Sequence, residues 1–231
     1  MTAATGSTAE ALLSSRSLTK HVVRRSALLG IWLIMPIPVA GAVVSLLAML
    51  GLAEEISFNF FPLLLLLFYG IAGAMWARGL ARIFGWRPLT KFGWVGALGI
   101  TIPTMIAITV LGIVEPNLLD LTFDGWRMHI LFGLLFVPTA FLIAAISTGA
   151  LGFAAGDWRL GLRLALFCGL TAALTFLAVT VLFDSFGMRV GAARAAERAT
   201  MLVVTLSGMW AAALTGNAVL ALVLRSHRQQ P

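Results

Sequence analysis

Proline stands near the middle of three apolar runs: Pro36 and Pro38 in the first, Pro103 in the third and Pro138 in the fourth. Each lacks an N–H and crowds the turn before it, so each frees a backbone carbonyl that some other donor must satisfy. Threonines stand beside two of them, in Thr101-Ile102-Pro103-Thr104 and in Pro138-Thr139. Helices broken or kinked at membrane depth are how many transporters show backbone polar groups to a substrate, and ordinary kinks are healed by neighbouring helices and hydroxyls. Asn217 is a carboxamide set deep in the sixth run. The candidate path for a substrate is therefore Pro36, Pro38, Thr101, Pro103, Thr104, Pro138, Thr139 and Asn217. The hydroxyls of Ser45, Tyr69, Thr109, Ser147, Thr148, Thr171, Thr175, Thr180, Thr205, Ser207 and Thr215 are expected to make interhelical hydrogen bonds.

Catalytic chemistry lacks its parts. An intramembrane hydrolase needs a base at membrane depth, and His21, His129 and His227 all fall near run ends or in tails. A haem or a two-metal centre needs facing ligand pairs that no run supplies, and proton coupling normally needs an ionisable relay inside the membrane. His129 shares a side with Glu115, Asp120 and Asp124, but their spacing fits no metal motif and reads as a solvated acidic loop. Cys168, the single cysteine, lies in an apolar run and excludes an internal disulfide. No catalytic, cofactor-binding or metal residue is assigned, and no cofactor is expected.

Six runs are long enough to cross a hydrocarbon core about 30 Å thick, for which about 20 helical residues suffice. They lie near 27–51, 58–77, 92–114, 128–154, 161–183 and 200–224. A chain of 231 residues that is 60% hydrophobic and 11% charged, with mean hydropathy +1.00, has lipid as its main solvent. The prediction is an all-α integral membrane protein, a six-transmembrane-helix bundle, with flanking segments 1–26 and 225–231. The net charge of +7 comes from short clusters at run ends rather than one basic stripe, which argues against nucleic acid and for membrane orientation.

Lysine and arginine divide twelve to four between the two sides, and seven of the nine acids fall on the poorer side. The positive-inside rule then puts the N-terminus and C-terminus in the cytoplasm, and a bacterial inner membrane is the expected home. Residues 1–15 read as a disordered tail and 16–26 as a basic interfacial segment. The segment from Arg78 to Lys91, with Trp76, Trp86 and Trp94 nearby, reads as a membrane-surface hairpin with an aromatic anchor. Gly187 to Ala199 predicts a short surface helix. Arg24-Arg25 followed by an apolar stretch and Ala40-Gly41-Ala42 resembles a cleavable leader, but the stretch runs on unbroken to Leu52, which favours a retained helix.

Small residues recur at packing spacing in Gly70 and Gly73, Gly93, Gly96 and Gly99, Gly149, Gly152 and Gly156, and Gly208 and Gly216. Two internal alignments compete: Pro38 with Pro138 as inverted halves, or Trp76-Ala-Arg-Gly79-Leu80 with Trp158-Arg-Leu-Gly161-Leu162 as repeated hairpins. The expected function is a non-enzymatic transport component, a small carrier or permease subunit, for an uncharged or weakly polar solute. The alternative is a structural or assembly subunit whose Gly-rich helix faces meet partner membrane proteins or a second copy. The lipid bilayer is the partner common to both.

Overall fold

The computed structural model describes residues 20–49, 53–119, 125–185 and 194–228. The tail 1–19, Asp120, Asp124 and residues 186–193 lie outside them, and with them most of the predicted surface helix of Gly187 to Ala199. The described chain is helical apart from short turns, with no strand. Helix α1 (residues 20–29) leads into a 3-10 turn, Gly30–Leu33, and then α2 (Pro36–Met49). There follow α3 (Ala53–Phe84), α4 (Leu89–Leu119), α5 (Gly125–Ala154), α6 (Trp158–Ser185) and α7 (Arg194–Arg228). Among the described residues, six helical segments are long and apolar enough to cross a membrane, the first being Lys20–Leu47. Leu67, Leu98, Leu174 and Leu222 are among the many large apolar side chains left exposed on the outside of the bundle, as a lipid solvent requires.

Helix α3 does not stop where the cations begin. Arg78 and Arg82 lie in its final turns, so the connection to α4 is only residues 85–88 rather than a hairpin starting at Arg78. Hydropathy falls at the first arginine, but the backbone ladder continues and the long side chains carry their charges outward. The stop comes at Gly85, whose φ of 67° suits glycine. Its N–H donates to the Arg82 carbonyl at 3.4 Å and that of Trp86 to Ala81 at 2.8 Å, the paired bonds of a Schellman cap. Gly156, at φ 87°, closes α5 in the same way.

Consecutive helices from α2 to α7 pack side by side, and the 3-10 turn touches both α3 and α7, which closes the arrangement. Glycines set the close approaches. A Cβ on Gly96 would run into the Gly73 carbonyl and the Ala77 methyl, and one on Gly152 would run into the backbone of Gly161. The buried core collects at one end of the bundle, from Trp76, Leu80 and Phe84 of α3, Phe92 of α4, Leu151 of α5, Leu164 and Cys168 of α6, and Leu220 and Leu224 of α7.

Candidate functional site

The first span is interrupted at its middle. Pro36 and Pro38 stand two residues apart, so neither can donate, and the helix gives way to the 3-10 turn and a bend at Ile34 and Met35. The N–H groups of Ile34 and Met35 both reach the Ile31 carbonyl, at 3.1 and 3.2 Å, and that of Ile37 reaches Ile34 at 3.4 Å. Those assignments leave the carbonyls of Trp32 and Leu33 with no helical donor. In lipid such groups persist only where protein or a polar cavity meets them.

The interruption rests on a buried polar pair. Trp76 Nε1 donates to Asn217 Oδ1 at 2.6 Å, and Asn217 Nδ2 donates to the Ala213 carbonyl one turn back at 2.7 Å. Gly30, which opens the 3-10 turn, lies against both: a Cβ there would stand 2.8 Å from Asn217 Nδ2 and 2.8 Å from the Ala213 carbonyl. Leu29 covers Gly79 of α3. One turn earlier, Ser26 is fully buried and its hydroxyl has no partner among the described residues.

Hydroxyls elsewhere in the spans mostly satisfy themselves. Ser45, Thr109, Ser147, Thr148, Thr171, Thr180 and Thr215 each reach the carbonyl four residues back. Three of these also bridge helices: Thr148 reaches Leu164 of α6 at 3.1 Å, Ser147 reaches Gly99 of α4 at 2.9 Å, and Thr215 meets Thr175 Oγ1 of α6 at 3.0 Å. Gly99 is the residue whose carbonyl Pro103 leaves without its usual N–H. Ser147 thus supplies the donor that the proline removed, and α4 runs unbroken through Pro103. Pro138 likewise lies within a continuous α5. Of the prolines read as helix breakers, only the Pro36 and Pro38 pair breaks its helix.

The eight path residues do not form one cluster. Pro36, Pro103, Thr104 and Asn217 are buried, Thr101 and Thr139 are half-buried, and Pro38 and Pro138 are exposed. Asn217 joins the first span through Gly30, while Thr101 faces α3, its Oγ1 3.4 Å from where a Cβ on Gly70 would sit. Comparison with protein families, curated proteins and solved structures finds no match. The residue that the sequence reading misplaced is Trp76, expected in an interfacial anchor but 1% exposed and hydrogen-bonded inside the bundle. Trp86 stacks on Phe92 with centroids 5.1 Å apart, and Trp94, 70% exposed, is the one with an anchor's setting. Trp158 is exposed where Trp76 is buried, so the two are not equivalent repeat positions.

Charge gathers at the end where α3, α5 and α7 finish. His227 Nε2 meets Asp157 Oδ2 at 2.8 Å, Asp157 Oδ1 accepts the Leu160 N–H at 3.0 Å, and Lys91 Nζ donates to the Ala154 carbonyl at 2.7 Å. The Leu160 N–H, and after it His227, hold the Asp157 carboxyl below its ordinary range. No group of three His, Cys, Asp or Glu suited to a metal occurs among the described residues, and the side chains of Glu115, Asp120, Asp124 and His129 lie outside them. In the middle of the spans the described polar groups are neutral: hydroxyls, an amide, an indole and freed carbonyls. They can donate and accept hydrogen bonds to an uncharged guest.

Proposed function

We propose that the chain is a polytopic protein of a bacterial cytoplasmic membrane, both ends inside, and a non-enzymatic transport component for an uncharged or weakly polar solute. The observation that carries this reading is the break at Ile34 and Met35, in the middle of the 28-residue segment Lys20–Leu47, with two carbonyls lacking helical donors. Interrupted helices with exposed backbone at the midplane are a recurrent way to build a solute site without charge. The twelve-to-four division of lysine and arginine supports the orientation. Glycines that an assembly subunit would turn toward partners, among them Gly73, Gly96, Gly149 and Gly152, are instead filled by helices of the same chain, which favours the carrier.

The test is flux of glycerol and acetamide into vesicles holding the purified chain, compared with a Pro36→Ala/Pro38→Ala variant. Restoring both N–H groups returns a donor to the Trp32 carbonyl and gives Ile34 the residue 38 N–H, which releases the Ile37 N–H for the Leu33 carbonyl, and should straighten the span. Flux is expected to fall with insertion and yield unchanged; equal flux in both proteins sinks the reading.

A further inference from the structure

Three hydroxyls near the middle of α3 and α4 depart from the pattern that most described hydroxyls of the spans follow. Seven serines and threonines in the spans donate to the carbonyl four residues back, yet Thr101 and Thr104 do not. Thr101 Oγ1 is fully buried, turned toward Gly70 of α3, and has no partner among the described residues. Thr104 is 7% exposed, and its hydroxyl makes no hydrogen bond among the described residues. Tyr69, the only tyrosine and the chain neighbour of Gly70, is 6% exposed, and its phenol makes no hydrogen bond among the described residues. Thr101 and Thr104 are three residues apart and so share a side of α4. All three lie close to the midpoints of Ala53–Phe84 and Leu89–Leu119, at the depth where water is scarcest.

An unpaired buried hydroxyl such as that of Thr101 is costly, and for a threonine back-bonding offers a remedy that others in the spans use. We propose that Tyr69, Thr101 and Thr104 form a hydrogen-bonding subsite in the seam between α3 and α4 for a small neutral molecule bearing hydroxyl, carbonyl or amide groups. Hydroxyls both donate and accept, which suits such a guest. A charged one would find no counter-ion, because neither Lys, Arg, Asp nor Glu occurs from Ile56 to Ala77 or from Phe92 to Val114. Gly70 matters because the absence of a side chain leaves room beside Thr101 Oγ1. The subsite deepens the transport reading and rests on it only for the passage of the guest, not for its binding.

The test uses the purified full-length chain in detergent, with glycerol and acetamide titrated as probes and thermal unfolding as the readout. Without probe, Thr101→Val, Thr104→Val and Tyr69→Phe are expected to melt no lower than the wild type, because each loses a hydroxyl with no hydrogen-bond partner among the described residues. Ser147→Ala, which loses a bonded hydroxyl, should melt lower and serves as the contrast. With probe, the triple variant should need about tenfold more of it for the same stabilisation, as loss of one or two neutral hydrogen bonds implies. Lower melting of the valine variants would mean that a structural water or a protein group holds these hydroxyls, and would overturn the proposal. So would identical titrations of wild type and triple variant. Vesicles with no glycerol flux above protein-free controls, but with hydroxyl-dependent stabilisation intact, would sink the transport reading and leave the subsite standing.

Discussion

Replacing Asn217 by Leu keeps the volume of the side chain but strands the Trp76 indole N–H inside the bundle. Trp76 and Asn217 are 1% and 4% exposed, so no solvent can take the amide's place. A neutral hydrogen bond contributes about 0.5 to 1.5 kcal/mol net, and an orphaned buried donor costs about 1 to 3 kcal/mol. In membrane bundles measured couplings are smaller, averaging about 0.6 and reaching about 1.7 kcal/mol, because the separated helices also find partners. A 2.6 Å bond between two sealed groups belongs near the upper end, so a coupling of about 1.5 kcal/mol is expected between Asn217→Leu and Trp76→Phe. Trp76→Phe alone also opens a cavity, but that packing loss enters both backgrounds and cancels in the cycle. Reversible unfolding in mixed micelles, followed by far-ultraviolet circular dichroism, gives the four free energies. Single effects that add to within about 0.3 kcal/mol would refute the claim that this pair holds α3 to α7.

Ser147→Ala should cost about 1 kcal/mol in the same assay, and much less in a Pro103→Ala background, where residue 103 regains an N–H for the Gly99 carbonyl; equal costs in both backgrounds would contradict the bridging role. Gly152→Ala forces α5 and α6 apart and should destabilise by about 1 to 3 kcal/mol, while Gly41→Ala, with nothing within 4 Å of the new methyl, should be neutral or slightly stabilising by melting temperature. The Asp157 carboxyl is depressed in the folded state, so its stabilisation is present above the unfolded carboxyl's value and is lost as pH falls through the lower folded one. Melting temperature should therefore drop on acidification below about pH 4, the ordinary aspartate value, and Asp157→Asn should flatten that acid limb; an unchanged limb would exclude Asp157 as a source.

Apolar run length made the six spans legible, because lipid admits few other ways to satisfy a backbone. Helix ends were less so, since α3 continues through Arg78 and Arg82 until Gly85 turns it. That glycine, followed by Trp86 and Pro88, was a usable signal. The prolines looked alike in sequence, yet one missing donor is replaceable by a hydroxyl such as Ser147, while two prolines two residues apart deprive the same stretch twice. Asn217 stood out as a buried amide, but its partner did not, because the indole that meets it lies 141 positions away. Tyr69, Thr101 and Thr104 were visible as polar residues in apolar runs; that they are unpaired became apparent only against the threonines that are paired.

The contacts that seat the first span are made by the last. Gly30 rests on Ala213 and Asn217, and Trp76 waits for the same asparagine. At synthesis rates of roughly 5 to 20 residues per second, the 141 residues between Trp76 and Asn217 correspond to about 7 to 30 s. Throughout that interval the interrupted span sits in the bilayer without its seat, its freed carbonyls and the indole N–H uncovered. The α3–α4 and α5–α6 hairpins, joined by short turns, can form meanwhile as local units. Assembly in the membrane therefore starts from hairpins in the middle of the sequence and closes last where its two ends meet, and the nascent chain is most open to proteolytic quality control just before α7 arrives.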